Sequence, residues 1–289
     1  MAVNKDTEYK GEYAEEILID IFMQGDTLSK GLVKSLENVG TDSYYIRKSS
    51  AEDGLMDYIC DFEPTNDITL DEVRVDLKKL TFQLEACKED LRRNSAGKMN
   101  GKQSFEAPQD EVDAIMLDLN NKLGFKFEKL LWTGNKTVTG EFDGFLTGLT
   151  PTDEVDLSTP TDVVSALELA IDSTKEEILQ APDFKLVVSS DVLRKYNRAL
   201  DQRGYMQEDS YFDGYKIETA NGLPKGTILT YNHGNLNVVS DLTSNITNIT
   251  VADFTDKLVH KIGLRSDFKV TTAIVDKTDV VYIKAQMSE

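Results

Sequence analysis

Only His233 and His260 carry imidazoles, the side chains whose ordinary pKa lets them work as acid or base near neutrality. His233 stands in Asn232-His233-Gly234-Asn235, a run of turn formers in which a solvated turn residue is the plain reading. His260 falls late in a segment expected to form a short helix near Ala252 to Ile262, where the negative end of the helix dipole accounts for it. The GxSxG nucleophile motif, the Walker phosphate loop and the GxGxxG fingerprint are all missing. The 51 acidic residues could be paired almost anywhere, so no pair singles itself out as a catalytic acid and base. The acidic run from Thr65-Asn66-Asp67 to Asp71-Glu72 lacks the glycine and the ligand spacing of a calcium loop. Cys60 and Cys87 lie outside any CxxC or metal-ligand spacing and read as free thiols in a reducing cytoplasm. Trp132, after Leu130-Leu131, reads as a core anchor. The chemistry-bearing residues thus predict no catalytic residue, no metal and no cofactor, and a protein that is not an enzyme.

Composition narrows the remaining classes. A chain of 289 residues with 40% apolar content can build one large domain or two modest ones. Its 32 basic against 51 acidic residues give a net charge of −19, too acidic for the dense lysine and arginine face that phosphate neutralisation needs. Sequence-specific DNA binding is therefore not expected, and self-repulsion favours solubility. No signal peptide opens the chain, and no uncharged apolar run approaches the roughly 18 residues of a membrane span.

The elements that would position any contact can be read from hydrophobic spacing. Tyr13, Ile17, Leu18, Ile21 and Phe22 predict an amphipathic arm helix ending near Gly25, and Leu32, Leu36 and Val39 a second short helix before Gly40. Ser43-Tyr44-Tyr45-Ile46-Arg47 has strand content, and the acidic stretch from Lys48 to Asp71 is irregular. Val73, Val75, Leu77, Leu80, Phe82 and Leu84 alternate as one returning strand. The two strands would form a hairpin whose polar tip cannot bury itself on its own domain. Residues 107–133 carry an apolar stripe from Val112 to Leu131 that predicts a long spine helix, with Pro108 in its first turn and Gly134 at its stop. Thr159-Pro160-Thr161-Asp162 opens a further helix running through Ile178 to a stop at Pro182. Phe184 to Val188 reads as a buried strand, and Ser189 or Ser190 caps a helix carrying Val192, Leu193, Tyr196 and Leu200. Strands are expected at Tyr215 to Glu218, Thr227 to Tyr231, Asn235 to Val239, Lys269 to Val275 and Val280 to Lys284.

Four segments, in this order, carry a resemblance. They are the return strand running into Glu85-Ala86-Cys87-Lys88-Glu89-Asp90-Leu91, and the long helix followed by Trp132-Thr133-Gly134 and Phe142-Asp143-Gly144-Phe145-Leu146. Next come Pro182-Asp183-Phe184-Lys185-Leu186-Val187-Val188-Ser189 with Asp201-Gln202-Arg203-Gly204, and finally Gly263-Leu264-Arg265-Ser266-Asp267-Phe268-Lys269-Val270. Together they resemble the major capsid proteins of tailed double-stranded DNA bacteriophages, whose fold recurs in the floor of herpesvirus shells and in encapsulins. The resemblance implies an α+β fold with an N-terminal arm at 1–40, an extended β-hairpin loop at 41–86 and a peripheral domain at 87–155 containing the spine helix. It implies an α/β axial domain at 156–240 and strands at 241–289 that return to the peripheral domain.

The same resemblance implies a structural subunit that assembles with itself as pentamers and hexamers into an icosahedral head, built in the host cytoplasm and found in the virion. The packaged DNA would be enclosed without sequence-specific binding, and no membrane would be involved. A portal would join the shell. With little more than 40 residues before the loop, scaffolding is expected from a separate protein, or to be absent or removed. An encapsulin-like compartment and an α/β enzyme are the alternatives. The expected contacts between copies are Tyr44, Tyr45, Asp57 and Tyr58 on the loop, and Tyr205, Tyr211 and Phe212 in an axial tip spanning Gly204 to Gly214. Some relatives join subunits through a lysine and an asparagine. No local motif pairs Lys48, Lys78 or Lys79 with Asn245 or Asn248, so non-covalent shells are expected.

Overall fold

A computed structural model describes residues 25–37, 39–51, 68–87, 123–156, 160–202, 210–241, 250–253 and 261–286. The described chain begins with α1 (Asp26–Ser29), β1 (Lys34–Leu36), β2 (Ser43–Ala51), β3 (Ile68–Asp76) and β4 (Lys78–Cys87). Helix α2 occupies 123–133, and a 3-10 turn at Phe145–Gly148 leads to β5 (Asp153–Asp156). There follow α3 (Pro160–Asp172), α4 (Glu176–Leu179), β6 (Phe184–Val188), α5 (Ser190–Gln202), β7 (Tyr211–Phe212) and β8 (Tyr215–Thr219). Strands β9 (Thr227–Asn232), β10 (Leu236–Ser240), β11 (Thr250–Asp253), β12 (Lys261–Ile274) and β13 (Val281–Gln286) complete it.

The α+β architecture rests on two sheets and a ribbon. One sheet has six strands in the order β5-β13-β9-β6-β8-β7, the other five, β1-β10-β12-β11 with β4 along the opposite edge of β12, and β2 pairs with β3 alone. Because strand side chains alternate between faces, the six-stranded sheet separates two cores. Leu186, Val188, Ile228 and Ile283 meet Val163, Leu167, Val192 and Tyr196 of α3 and α5. Val187, Leu229, Tyr231 and Tyr282 point the other way and meet Leu32, Leu131, Trp132, Phe142 and Phe145. The five-stranded sheet repeats the device: Val238 and Val270 join this central core, whereas Val239 and Ala273 face the ribbon.

Several expected elements are corrected. Leu32, Leu36 and Val39 do not form a helix; α1 is a single turn, and Lys34–Leu36 runs parallel to β10 as a sheet edge. The spacing is helical by coincidence, because Leu32 fills the central core while Val39 packs under the ribbon. The expected helix through Ile178 stops at Asp172. There the Thr174 hydroxyl turns back onto the Ala170 carbonyl at 2.7 Å and meets Thr230 Oγ1 at 2.6 Å, and α4 is a separate turn. The short helix near Ala252 to Ile262 is also wrong at both ends. Ala252 lies opposite Gly263 and Asp253 opposite Ile262 in an antiparallel pair, where the ladder along β12 outweighs the four-residue spacing of Leu258 and Ile262.

The returning strand is two strands. Ile68–Asp76 pairs with β2, but after Leu77 the chain joins the five-stranded sheet, Lys78–Cys87 lying antiparallel to Val270–Lys261. Of the expected spine helix at 107–133, the described part at 123–133 is helical, and the rest lies outside the described residues, as does the arm helix. Strand β13, expected to return to the peripheral domain, sits between β5 and β9 of the six-stranded sheet.

Candidate assembly surfaces

The ribbon has one face in and one face out. Its register sets Tyr44 opposite Val75 and Ile46 opposite Val73 on one side, and Tyr45 opposite Arg74 and Arg47 opposite Glu72 on the other, with Leu70 on the same side as Glu72. The inner set packs with Leu36 and Leu77 onto Val39, Val239 and Ala273. The outer set is solvent-facing, with Tyr45 51% and Leu70 75% exposed. Between them Arg47 reaches Glu72 at 3.3 Å, and Arg74 bonds Asp76 at 2.9 Å. Such exposed pairs contribute little to stability.

Polar ties fasten the ribbon at its inner side. Lys48 donates to Asp276 in the turn after β12, and this hydrogen bond, followed by those from Thr278, holds the Asp276 carboxyl down at about 2. The Lys48 ammonium is correspondingly held above its ordinary range by Asp276. Asn235 fixes the turn from below, its Oδ1 accepting from the Asp276 N–H at 2.7 Å and its Nδ2 donating to the Asp276 carbonyl at 2.8 Å. Three residues on, Asp279 takes Lys175, next to α4, at 2.5 Å. One acidic turn therefore receives a lysine from the ribbon and another from the helical layer. Lys269 adds a second tie at the ribbon root, reaching Asp42 at 2.7 Å.

The second surface is the β7–β8 hairpin. Asp213 and Gly214 both have positive φ, 49° and 84°, the pair that a two-residue type I′ turn requires between Phe212 and Tyr215. The Phe212 ring packs edge-on against Tyr196 at 5.9 Å, and the Tyr196 hydroxyl donates to the Tyr211 carbonyl at 2.6 Å. Tyr211 itself is 41% exposed.

Of the expected contact residues, Tyr45 and Tyr211 thus point outward, while Tyr44 and Phe212 are engaged within their own subunit. Asp57, Tyr58 and Tyr205 lie outside the described residues, as do Asn245, Asn248, Cys60 and His260. His233 sits in a 3-10 turn, its N–H on the Asp183 carbonyl at 2.9 Å. Among the described residues no cluster of His, Cys, Asp and Glu could hold a metal ion, and no helix is long and apolar enough to cross a membrane.

One polar site escaped the sequence reading. Trp132 is fully buried, and its Nε1 donates to Thr27 Oγ1 at 2.8 Å; Thr27 in turn donates through its hydroxyl and its N–H, the latter at 3.2 Å, to Glu128. Burial pushes the Glu128 carboxyl above its ordinary range, against the hydrogen bonds from Thr27. A Cβ at Gly222 would collide with the Glu128 backbone carbonyl, so that approach requires glycine, and one at Gly25 would meet the Glu128 carboxylate. Glu128 thereby stitches the start of the described chain to α2. Its only sequence signal was a charge beside the stripe residue Phe127.

Solved structures share this arrangement over nearly the whole chain. The capsid of a native GTA particle superposes with a TM-score of 0.62 at 12% identity, covering 92% of this chain and 90% of that one. The chain has the capsid-shell fold. Gordonia phage Cozz matches it with a TM-score of 0.61 at 12% identity, over 92% of this chain and 87% of that one. An encapsulin complex from Synechococcus elongatus PCC 7942 matches it with a TM-score of 0.54 at 12% identity, over 89% and 86%. No family model matches the sequence, and no curated protein does.

Proposed function

We propose that this chain is the structural subunit of an icosahedral phage head, a major capsid protein that assembles with itself as pentamers and hexamers around packaged DNA. The observation that carries this reading is the ribbon: an apolar inner face and polar ties root it in its own subunit, while Tyr45 and Leu70 stay uncovered on the other face. An unpaired strand edge invites a second copy. The shell fold and the net charge of −19, which keeps an inner wall from adhering to DNA phosphates, support the same reading. A separate scaffolding protein and a portal would complete the assembly.

Electron microscopy of the purified protein tests it. Closed shells, tubes or flat hexagonal arrays are expected, and a protein that stays monomeric in every assembly condition overturns the proposal. The encapsulin reading shares the fold and the expected images; native particles filled with protein cargo instead of DNA would favour it.

A further inference from the structure

Glu128 is a carboxylate buried on α2, 3% exposed, and its hydrogen bonds come from neutral donors: the Thr27 hydroxyl, the Thr27 N–H at 3.2 Å and the Gly222 N–H. The charges around it do not compensate its own. Asp26 on α1 adds a like charge and is itself paired with Lys30 at 3.1 Å. Lys126 and Lys129 on α2, and Lys225 in the turn at 220–226 between β8 and β9, are exposed. Desolvation therefore outweighs the hydrogen bonds, and the carboxyl is held above its ordinary value of 4.5. Three pieces of chain close on this group: α1 through Thr27, α2 itself, and the 220–226 turn, where Gly222 lies against the Glu128 carbonyl and the Trp132 ring.

The chain that follows α1 is anchored independently. Leu32 fills the central core, and its carbonyl accepts from the buried Tyr231 hydroxyl at 3.0 Å. Gly31, immediately before this anchor, has a φ of 59° and open space where a Cβ would stand. Residues 25–31 are thus a short flap, hinged at Gly31 and closed on Glu128, with Leu28 only partly buried along it. We propose that this flap is a proton-controlled latch: it stays closed on α2 while Glu128 is protonated, and loss of that proton to solvent opens it about Gly31. Residues 1–24 are joined to the rest of the chain through the flap, so the latch sets whether they leave it at α2. The sign follows from the raised pKa, because the closed latch binds the proton more tightly than the open one. Opening is therefore favoured as pH rises above 4.5, by up to about tenfold per pH unit, until the raised value is passed. The device works within a single subunit, whether or not copies assemble.

Trp132 supplies the reporter. It is the chain's single tryptophan, it is fully buried, and its indole N–H donates to Thr27 at 2.8 Å, so opening the flap wets the ring. In the unassembled full-length subunit, raising the pH above 4.5 should shift its emission to the red and raise acrylamide quenching by about twofold or more, with backbone circular dichroism unchanged. Glu128→Gln, neutral at every pH, should hold the emission at its low-pH position throughout. Hydrogen exchange of the wild-type protein gives a second reading that needs no variant. The Lys30, Gly31 and Leu32 amides, bonded to the Asp26, Leu28 and Thr27 carbonyls, should lose protection over the same pH range once intrinsic rates are removed, and should open more readily than β6. An emission that does not move with pH would overturn the latch. So would a glutamine variant that titrates like wild type, which would assign the transition to another group such as Asp26. Flap amides that open only together with β6 would also overturn it, since Glu128 would then act on the whole fold and not on the flap.

Discussion

Strand β6 of the six-stranded sheet is covered on both faces, Leu186 and Val188 by the helical layer and Val187 by the central core, whereas the ribbon strands β2 and β3 are covered on one. The first region is held by buried apolar area, which is non-directional. The second combines a small apolar seat with charge ties: Lys48 to Asp276 and Lys269 to Asp42. The difference separates two tasks. The six-stranded half must keep its shape, while the ribbon needs a fixed root and a free outer face. On that outer face Tyr45 and Leu70 stay uncovered by their own subunit.

The largest expected effect falls on the covered half. Leu167 is fully buried between α3 and the six-stranded sheet, so Leu167→Ala should cost about 2–5 kcal/mol of subunit stability in denaturant unfolding. A loss no greater than at an exposed site would contradict the two-sided core. Asp276→Asn comes next. Its folded pKa, near 2, lies below the ordinary 3.8, so its stabilising contribution is present above that ordinary value and disappears as pH falls toward 2. At neutral pH the substitution should cost about 1–2 kcal/mol once solvent screening of a one-third-exposed partner is allowed for, and the cost should vanish near pH 2. Unfolding of the two proteins across that range reads it directly.

Glu128→Gln probes the buried tie between Thr27 and α2. Because burial raises the folded pKa of Glu128, the carboxyl favours folding most below its ordinary range and loses that contribution as pH rises through the raised value. The wild-type protein should therefore lose stability relative to the glutamine variant as pH rises above the ordinary carboxyl value of 4.5. A difference that stays constant with pH would show that Glu128 does not titrate there.

What could be read from sequence follows the range of the interactions involved. Alternating or continuous apolar runs located β6, β9, β10 and β13, because each strand's pattern reflects its own two faces. Tyr44 and Tyr45 were both singled out, but only register with Val75 and Arg74 decides that one is seated and the other exposed. The break at Leu77 did leave a trace that was read through: the apolar positions Val73, Val75 and Leu77 change phase to Leu80, Phe82 and Leu84 where the pairing partner changes from β2 to β12. Glu128 with Thr27 and Lys48 with Asp276 are contacts between residues 101 and 228 positions apart, and nothing local in either partner announces the other. The expected contacts at Asp57, Tyr58 and Tyr205 remain proposals, resting on the composition of their segments.

The smallest expected effect on stability is also the sharpest test of the comparison. Tyr45 and Leu70 lie on the outer ribbon face, half and three-quarters exposed, and neither is packed into an apolar cluster of its own subunit. Replacing both by serine removes no buried contact from the isolated subunit, so its unfolding free energy should change by about 0.5 kcal/mol or less. If a second copy covers this face, the same change removes apolar area from every such contact in a shell. Small losses repeated over many symmetric interfaces multiply, and assembly should require a markedly higher protein concentration. Light scattering against concentration, beside denaturant melts of unassembled protein, separates the two quantities. A double variant that is destabilised as a monomer would mean that the ribbon's outer face is covered by its own chain. One that assembles at the wild-type concentration would mean that no copy uses it.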